Sequence, residues 1–444
     1  MVLPKGINKK EILELKPWYK PGKWYTSPAT WQPEVRATMP GLPKEVTIAD
    51  STLREGEENV SVSFTIDQKV EIARRLSEIG VRALDCGYAL NPYQVETVKR
   101  IISAGVVKKP TSIFMGSRFD ALPDELDAIK KAADRVVEIG VTGFCLICFS
   151  KIQTNQEQDS LVKLVEYIKG NHPDIELMCG FILSSGGLRD LSNLTSPTSF
   201  LNWQIEVSKI VTEAGVDRIS IADTMGCASP PAWKYITSQF RKAIGAKKTL
   251  GIHNHNDYGL AVANALAGVE GGADRLDAVV CGLGDRAGNT SLEEVALALE
   301  ALYGIKTGIK LENLYDLAQY VQEAGGVRVQ HWKAVIGDRV WAESSHATRL
   351  IQLKREGKDF FEAGMESWNP KIVGQTHRMF FGKVVMNPEV IKGFLQYLKL
   401  KYDKDTIDRI VKAGLEKIDR RAASGQDRWL TEEEVNDLCR KMAQ

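Results

Sequence analysis

From Val46 the chain alternates short apolar runs with amphipathic helical stretches, and this repetition constrains the fold more than any other feature. The runs are VTIAD (46–50), RALDCG (82–87), TSIFMG (111–116), GFCLICF (143–149), IELMCGFIL (175–183), RISIAD (218–223), TLGIH (249–253) and LDAVVCG (276–282). Helical stretches such as 65–80 and 199–215 lie between them. Many end in glycine, at Gly80, Gly140, Gly215 and Gly272, as a left-handed C-terminal cap requires. Eight strands and their helices within about 260 residues match a closed (β/α)8 barrel. A doubly wound open sheet would carry a glycine-rich fingerprint after its first strand, and none is present. The expected fold is therefore α/β, a TIM (β/α)8 barrel over 46–325. The alternation stops there, and 326–444 reads as a smaller, mostly helical C-terminal domain. Residues 1–45, rich in Trp, Tyr and Pro, form an aromatic extension expected to pack against the main domain or a partner subunit.

Bulk composition excludes several function classes. With 43% hydrophobic and 26% charged residues and a formal net charge of +1, the chain shows neither a nucleic-acid groove nor an anionic-membrane surface. There is no signal-like N-terminus and no apolar stretch long enough to span a bilayer. The seven cysteines are odd in number and mostly sit in apolar runs, which suits reduced thiols. Cys145 and Cys148 read as buried apolar side chains. A cytoplasmic protein is expected.

Barrels of this kind do chemistry at the C-terminal ends of their strands. Polar residues gather there: Asp50, Arg54, Glu55 and Glu57 after the first run, Asp85 on the second, Arg118 after the third, and Asp223 and Thr224 at the sixth. The seventh ends His253-Asn254-His255-Asn256-Asp257. Histidines at i and i+2 of an extended segment point to one side, so both can reach one ion. With a carboxylate from another strand they make a catalytic metal site suited to Zn, Mn, Fe or Co, or to Mg where oxygen ligands dominate. An H-x-H pair at a strand end is often two ordinary polar residues. Its position among the acids of strands one and two, in a chain with six His, argues for the metal. The loop GLGDRAGNTSLEEV (282–295) lies on the same face, and Thr290 with Glu293 reads as a capping box.

The segments DSTLREGEE, ISIADTMGCASP, HNHNDYGLAVANALAGVEGGA and CGLGDRAGNTSLEEV together resemble the DRE-TIM metallolyase superfamily, and most closely the 2-isopropylmalate, homocitrate and citramalate synthases. The resemblance implies a divalent cation (Mn, Zn, Mg or Co) held by Glu55, His253, His255 and Asn289. It also implies that Arg54 stabilises the oxyanion formed in carbon–carbon bond chemistry, with Asp85 where relatives have Glu. VIGDRVWAESSHATRL resembles a segment after the synthase barrel, and that likeness gives His346 an acid–base role. Arg118 and Thr224 are expected to bind substrate. Relatives usually carry Glu at the end of strand five, where this chain has Ser184 and Ser185, and the usual His-containing segment is missing from CFSKIQTNQ.

The expected reaction is a Claisen condensation between an acyl-CoA cosubstrate and a 2-oxo acid, in an acyltransferase that works as a homodimer or higher homo-oligomer. The alternative is a carbon–carbon lyase of the hydroxymethylglutaryl-CoA type. Such lyases carry a Cys in the last glycine-rich loop, and GLGDRAGN has none. A barrel without turnover, serving as a binding subunit, is the third reading.

Overall fold

A computed structural model of the chain describes residues 17–120, 125–148, 154–183, 197–343, 346–361 and 363–443. They fall into two compact units. One runs from Pro28 to Arg328, and the other takes residues up to Ser27 together with those from Val329 onward.

The first unit is a closed barrel of parallel strands: β1 (Thr47–Asp50), β2 (Ala83–Tyr88), β3 (Ser112–Phe119), β4 (Gly143–Cys148), β5 (Glu176–Ile182), β6 (Arg218–Asp223), β7 (Thr249–Asn254) and β8 (Arg275–Ala278). Each apolar run of the sequence contributes a strand. The last departs most from expectation: β8 stops at Ala278, and Val280–Gly282 coils into a 3-10 turn in which Cys281 takes φ 63. The Glu293 carboxylate accepts the Cys281 N–H at 2.9 Å, which holds this turn. Glu293 is thereby diverted from the expected capping box. Ser291, not Thr290, is the N-cap residue, and it makes no side-chain cap.

The helices between the strands are α1 (Ile66–Ile79), α2 (Pro92–Ser103), α3 (Glu125–Glu138), α4 (Asn155–Asn171), α5 (Pro197–Glu213), α6 (Pro230–Ile244), α7 (Ala261–Glu270) and α8 (Leu292–Ala298). Thr65 and Gln68 form a capping box at the start of α1. At its end Gly80 has φ 102, and a Cβ there would lie 2.3 Å from the Gly308 carbonyl oxygen. Only glycine fits both the dihedral and the contact. Trp233, Phe240 and Phe181 are fully buried, each stabilising the fold by roughly 1.5–3 kcal/mol.

Inside the barrel the packing differs. The inward positions Ala49, Ala83, Gly116, Gly180, Ser220 and Ala222 are small, where bulky branched residues usually fill a barrel. A cavity of about 270 Å³ results.

The second unit packs α10 (Ala347–Arg355), α11 (Pro388–Tyr397), α12 (Lys404–Ala423) and α13 (Glu432–Met442) around Leu350, Ile391, Phe394, Ile410 and Val435; α9 (Leu314–Gly325) belongs to the barrel unit. It also holds a sheet unforeseen in the sequence, β9 (Ala342–Glu343), β10 (Arg378–Phe381) and β11 (Leu430–Thr431). Its strands are too short for a period-2 pattern to register. The aromatic extension is divided between the units. Tyr25 donates its N–H to the Ser367 carbonyl at 2.8 Å, within the second unit. Arg36 lies over the Trp31 ring and donates to the Tyr303 carbonyl at 3.2 Å, within the first. Among the described residues, no helix is long and apolar enough to cross a membrane.

Candidate metal centre and the cavity beneath it

Closure of the barrel decides which loops meet. β8 lies between β1 and β7, with Asp277 level with Ala49 on one side and His253 on the other. The turn after β1 and the end of β7 converge there, although far apart in sequence. Glu55 opens that turn and is buried. His253 lies in β7, and His255 follows it, bridged through its backbone to Asn289 of the last loop.

The side chains form one cluster. His253 Nε2 is 3.3 Å from Glu55 Oε1, 3.3 Å from His255 Nε2 and 3.1 Å from Asn289 Nδ2. Ligand atoms of Glu55, His253 and His255 all lie within 4.8 Å of one another. Two buried acceptors, Glu55 Oε2 and Asn289 Oδ1, have no hydrogen-bond partner. A half-turn of the Asn289 carboxamide exchanges its oxygen and nitrogen and aims the oxygen at the cluster. Unpartnered buried acceptors cost about 1–3 kcal/mol each. A divalent cation among imidazole nitrogens, a carboxylate and a carboxamide oxygen removes that cost, so the residues present fit a metal.

The charges around the cluster are coupled. Burial alone would raise the Glu55 carboxyl, but Arg54 and His253 outweigh it and hold it well below the usual carboxylate range. Burial likewise opposes the charge on His253, yet the adjacent Asp277 and Glu55 carboxylates push it up to about 10. Burial and then the neighbouring His253 push His255 down to about 4. The Asp277 carboxylate lies 3.7 Å from His253 Nδ1, which leaves Nε2 facing the cluster.

Arg54 is fixed beside this centre. Its Nε donates to Asp85 Oδ2 at 2.6 Å, and its Nη1 pairs with Glu55 and with Glu58. None of these three carboxylates engages its Nη2. Below Arg54, Asp50 accepts the Thr52 N–H at 2.8 Å, and burial pushes its carboxyl up to about 7. Arg286, in the last loop, grips Asp257 at 2.6 and 2.9 Å and also donates to the Thr224 carbonyl at 2.5 Å and to His255 Nδ1 at 3.3 Å.

The expected site residues separate into two groups. Arg54, Glu55, Asp85, Thr224, His253 and His255 line one cavity, and Asn289 joins it through His253. Arg118 does not line it. That side chain is 55% exposed at the end of β3 and pairs with Asp120. His346 belongs to the second unit, exposed just before α10. Ser184, Ser185 and residues 149–153 lie outside the described residues. Sequence reasoning passed over Asp277 and Arg286. Asp277 was within reach, since it is the one acidic residue within the run LDAVVCG (276–282). The Arg286 clamp had no local signal.

Comparison with known proteins places the chain among relatives. A model of the HMGL-like family matches residues 45–321. A 2-isopropylmalate synthase of Methanocaldococcus jannaschii is 31% identical over 388 residues, covering 84% of this chain and 68% of that protein. A homocitrate synthase of the same organism is 30% identical over 382 residues, 83% of this chain and 85% of its own length. The solved hydroxymethylglutaryl-CoA lyase of Pseudomonas aeruginosa superposes with a TM-score of 0.51 at 19% identity, over 64% of this chain and 94% of that one, a likeness of fold alone. The matched segment spans all eight barrel strands, and the chain belongs to the HMGL-like family.

Proposed function

We propose that this chain condenses an acyl-CoA with a 2-oxo acid, using a divalent cation held by Glu55, His253, His255 and Asn289. The observation that carries the reading is the pair of unpartnered buried oxygens on Glu55 and Asn289, set beside two imidazoles and a fixed arginine at the barrel mouth. The relatives named as synthases support it.

When bound, the cation polarises the ketone of the 2-oxo acid and neutralises its carboxylate. Asp85 and Glu55 hold the Arg54 guanidinium in one orientation, with Nη2 free to donate to the oxygen on which negative charge grows. Asp277 fixes the His253 ring and Arg286 the His255 ring, so the centre is organised before substrate arrives. The acyl α-carbon gives up a proton and bonds to the ketone carbon, whose oxygen takes a proton as the carbonyl becomes a hydroxyl; water then cleaves the thioester to a carboxylate and free coenzyme A. On the strength of the sequence likeness, His346 serves the proton transfers.

The test is a thiol-release assay with acetyl-CoA and a panel of 2-oxo acids, on metal-replete and chelator-treated protein. Coenzyme A release that needs both one oxo acid and the metal is expected. Equal release from chelated protein would refute the metal reading. Silence across the panel, with metal bound, would overturn the condensation in favour of bond cleavage, to be sought with hydroxy acids and their thioesters.

A further inference from the structure

The cavity beneath the metal centre is apolar along its walls but cationic at its floor. Arg218 begins β6 and Arg275 begins β8, at the end of the barrel opposite the chemistry, and both line the same cavity as Glu55 and His253. Their side chains are 4% and 7% exposed. Both are permanently charged. They share a single carboxylate oxygen, Glu176 Oε1, at 3.2 and 3.1 Å, so one positive charge stays unmatched. The other carboxylates lining the cavity are engaged elsewhere, Glu55, Glu58 and Asp85 with Arg54, Asp277 with His253 and Asp285 with Arg286. Both guanidiniums lie over the Phe114 ring, 4.6 and 5.2 Å from its centroid. The ring has room because Gly143 stands where a Cβ would come within 2.2 Å of it. Arg218 spends one N–H on the Met178 sulfur at 2.7 Å. The Nε of each arginine is buried and donates to nothing.

A buried cationic pair with idle donors, opening into a cavity, is a carboxylate receptor. The geometry points to a 2-oxo acid bearing a second, distal carboxylate, held by Arg218 and Arg275 while the 2-oxo end meets the metal centre. This assignment rests on the condensation reading and specifies its substrate class. Strand register gives the reach: Asp277, level with His253, is two residues above Arg275, about 7 Å at 3.3 Å per residue. The intervening walls, Ala49, Ala83, Gly116, Gly180 and Ser220, leave space for a short methylene chain.

Coenzyme A release is measured with acetyl-CoA and oxaloacetate or 2-oxoglutarate, against 2-oxobutyrate and 2-oxoisovalerate. At least one dicarboxylic oxo acid is expected to exceed both monocarboxylic ones by about tenfold or more in kcat/KM, a floor well under the roughly 10^4-fold by which a site built to bond a polar group can reject a ligand lacking it. In Arg218→Lys and Arg275→Lys that ratio is expected to fall about tenfold, because a point charge does not replace a planar fork. Equal or inverted preference in the parent protein overturns the assignment, as does an arginine variant that lowers both classes alike. A parallel arm needs no turnover: the full chain is titrated calorimetrically with glutarate, butyrate and inorganic phosphate. Binding of glutarate well above butyrate supports the floor site even if no oxo acid releases coenzyme A, in which case the condensation alone fails. Binding of phosphate without glutarate marks a free-anion site and refutes the substrate role. Should the lysine variants fail to fold, substrate preference and titration of the parent protein decide.

Discussion

Gly284→Ala tests the metal centre through a residue that supplies no ligand atom. Gly284 has φ 149, and a Cβ built on it would stand 1.9 Å from Asn289 Oδ1 and 3.0 Å from its Cγ. The Asn289 carboxamide must therefore swing away, because the backbone around it is pinned by the Asn289 N–H to the Gly282 carbonyl and by Thr290 to Asn254. The swing breaks the 3.1 Å contact with His253. Losing one buried hydrogen bond costs about 1–3 kcal/mol. Holding a non-glycine residue at such a φ costs about 1–3 kcal/mol. Partial relaxation brings the sum to roughly 2–4 kcal/mol, or about 3–6 °C in Tm for a unit of roughly 300 residues. The sharper expectation concerns the metal. Loss of one oriented group weakens metal affinity by about 10–100-fold, read by calorimetric titration of chelator-stripped protein, with activity falling in step. A variant that melts several degrees lower yet binds metal within twofold of the parent would refute the role given to Asn289.

Arg54→Lys removes a fork that spans Asp85 and Glu55, and a single ammonium cannot serve both and still face the substrate. We expect kcat for thiol release to fall by about 100-fold or more with metal content retained, and a kcat within tenfold of the parent would remove Arg54 from the chemistry. His346→Ala is expected to lower kcat by about 100-fold with unchanged metal affinity; an unaltered kcat would return the proton transfers to barrel residues. Asp50 has its carboxyl raised from 3.8 to about 7 by burial, so the stability contributed by its protonated form is whole below pH 3.8 and lost as pH rises through 7. In Asp50→Asn that loss disappears, and urea midpoints measured from pH 4 to 7 should gain on the parent by on the order of 1 kcal/mol per pH unit; parallel curves would contradict it.

Much of the architecture is legible from residues taken in order. RISIAD coincides with β6 residue for residue, because the β-branched Ile219 and Ile221 mark a short strand by a pattern that is local. The same property misleads at LDAVVCG, where apolar residues continue past Ala278 into a turn set by the distant Glu293. His253 and His255 were legible because strand alternation is local. Asn289 was reachable only through family likeness, since barrel closure, not spacing, brings it to His253. Arg118 shows the reverse error: it stands at a strand end, but Asp120, two residues on, draws it outward. Arg218 and Arg275 sit at strand starts, where nothing in the sequence separates a cavity floor from a solvated edge.

The small-walled barrel has a consequence for how substrate choice can change. Gly180 lies on the cavity wall, and a Cβ added there would meet nothing nearer than the Cys145 sulfur at 3.8 Å. One methyl group can thus enter the cavity without strain, shortening the space for substrate while Glu55, His253 and His255 stay as they are. Ligand choice and bond-making chemistry are written at different heights of the same strands. Mutation can explore the first while selection holds the second still, so a change of substrate in this chain need not pass through an inactive ancestor.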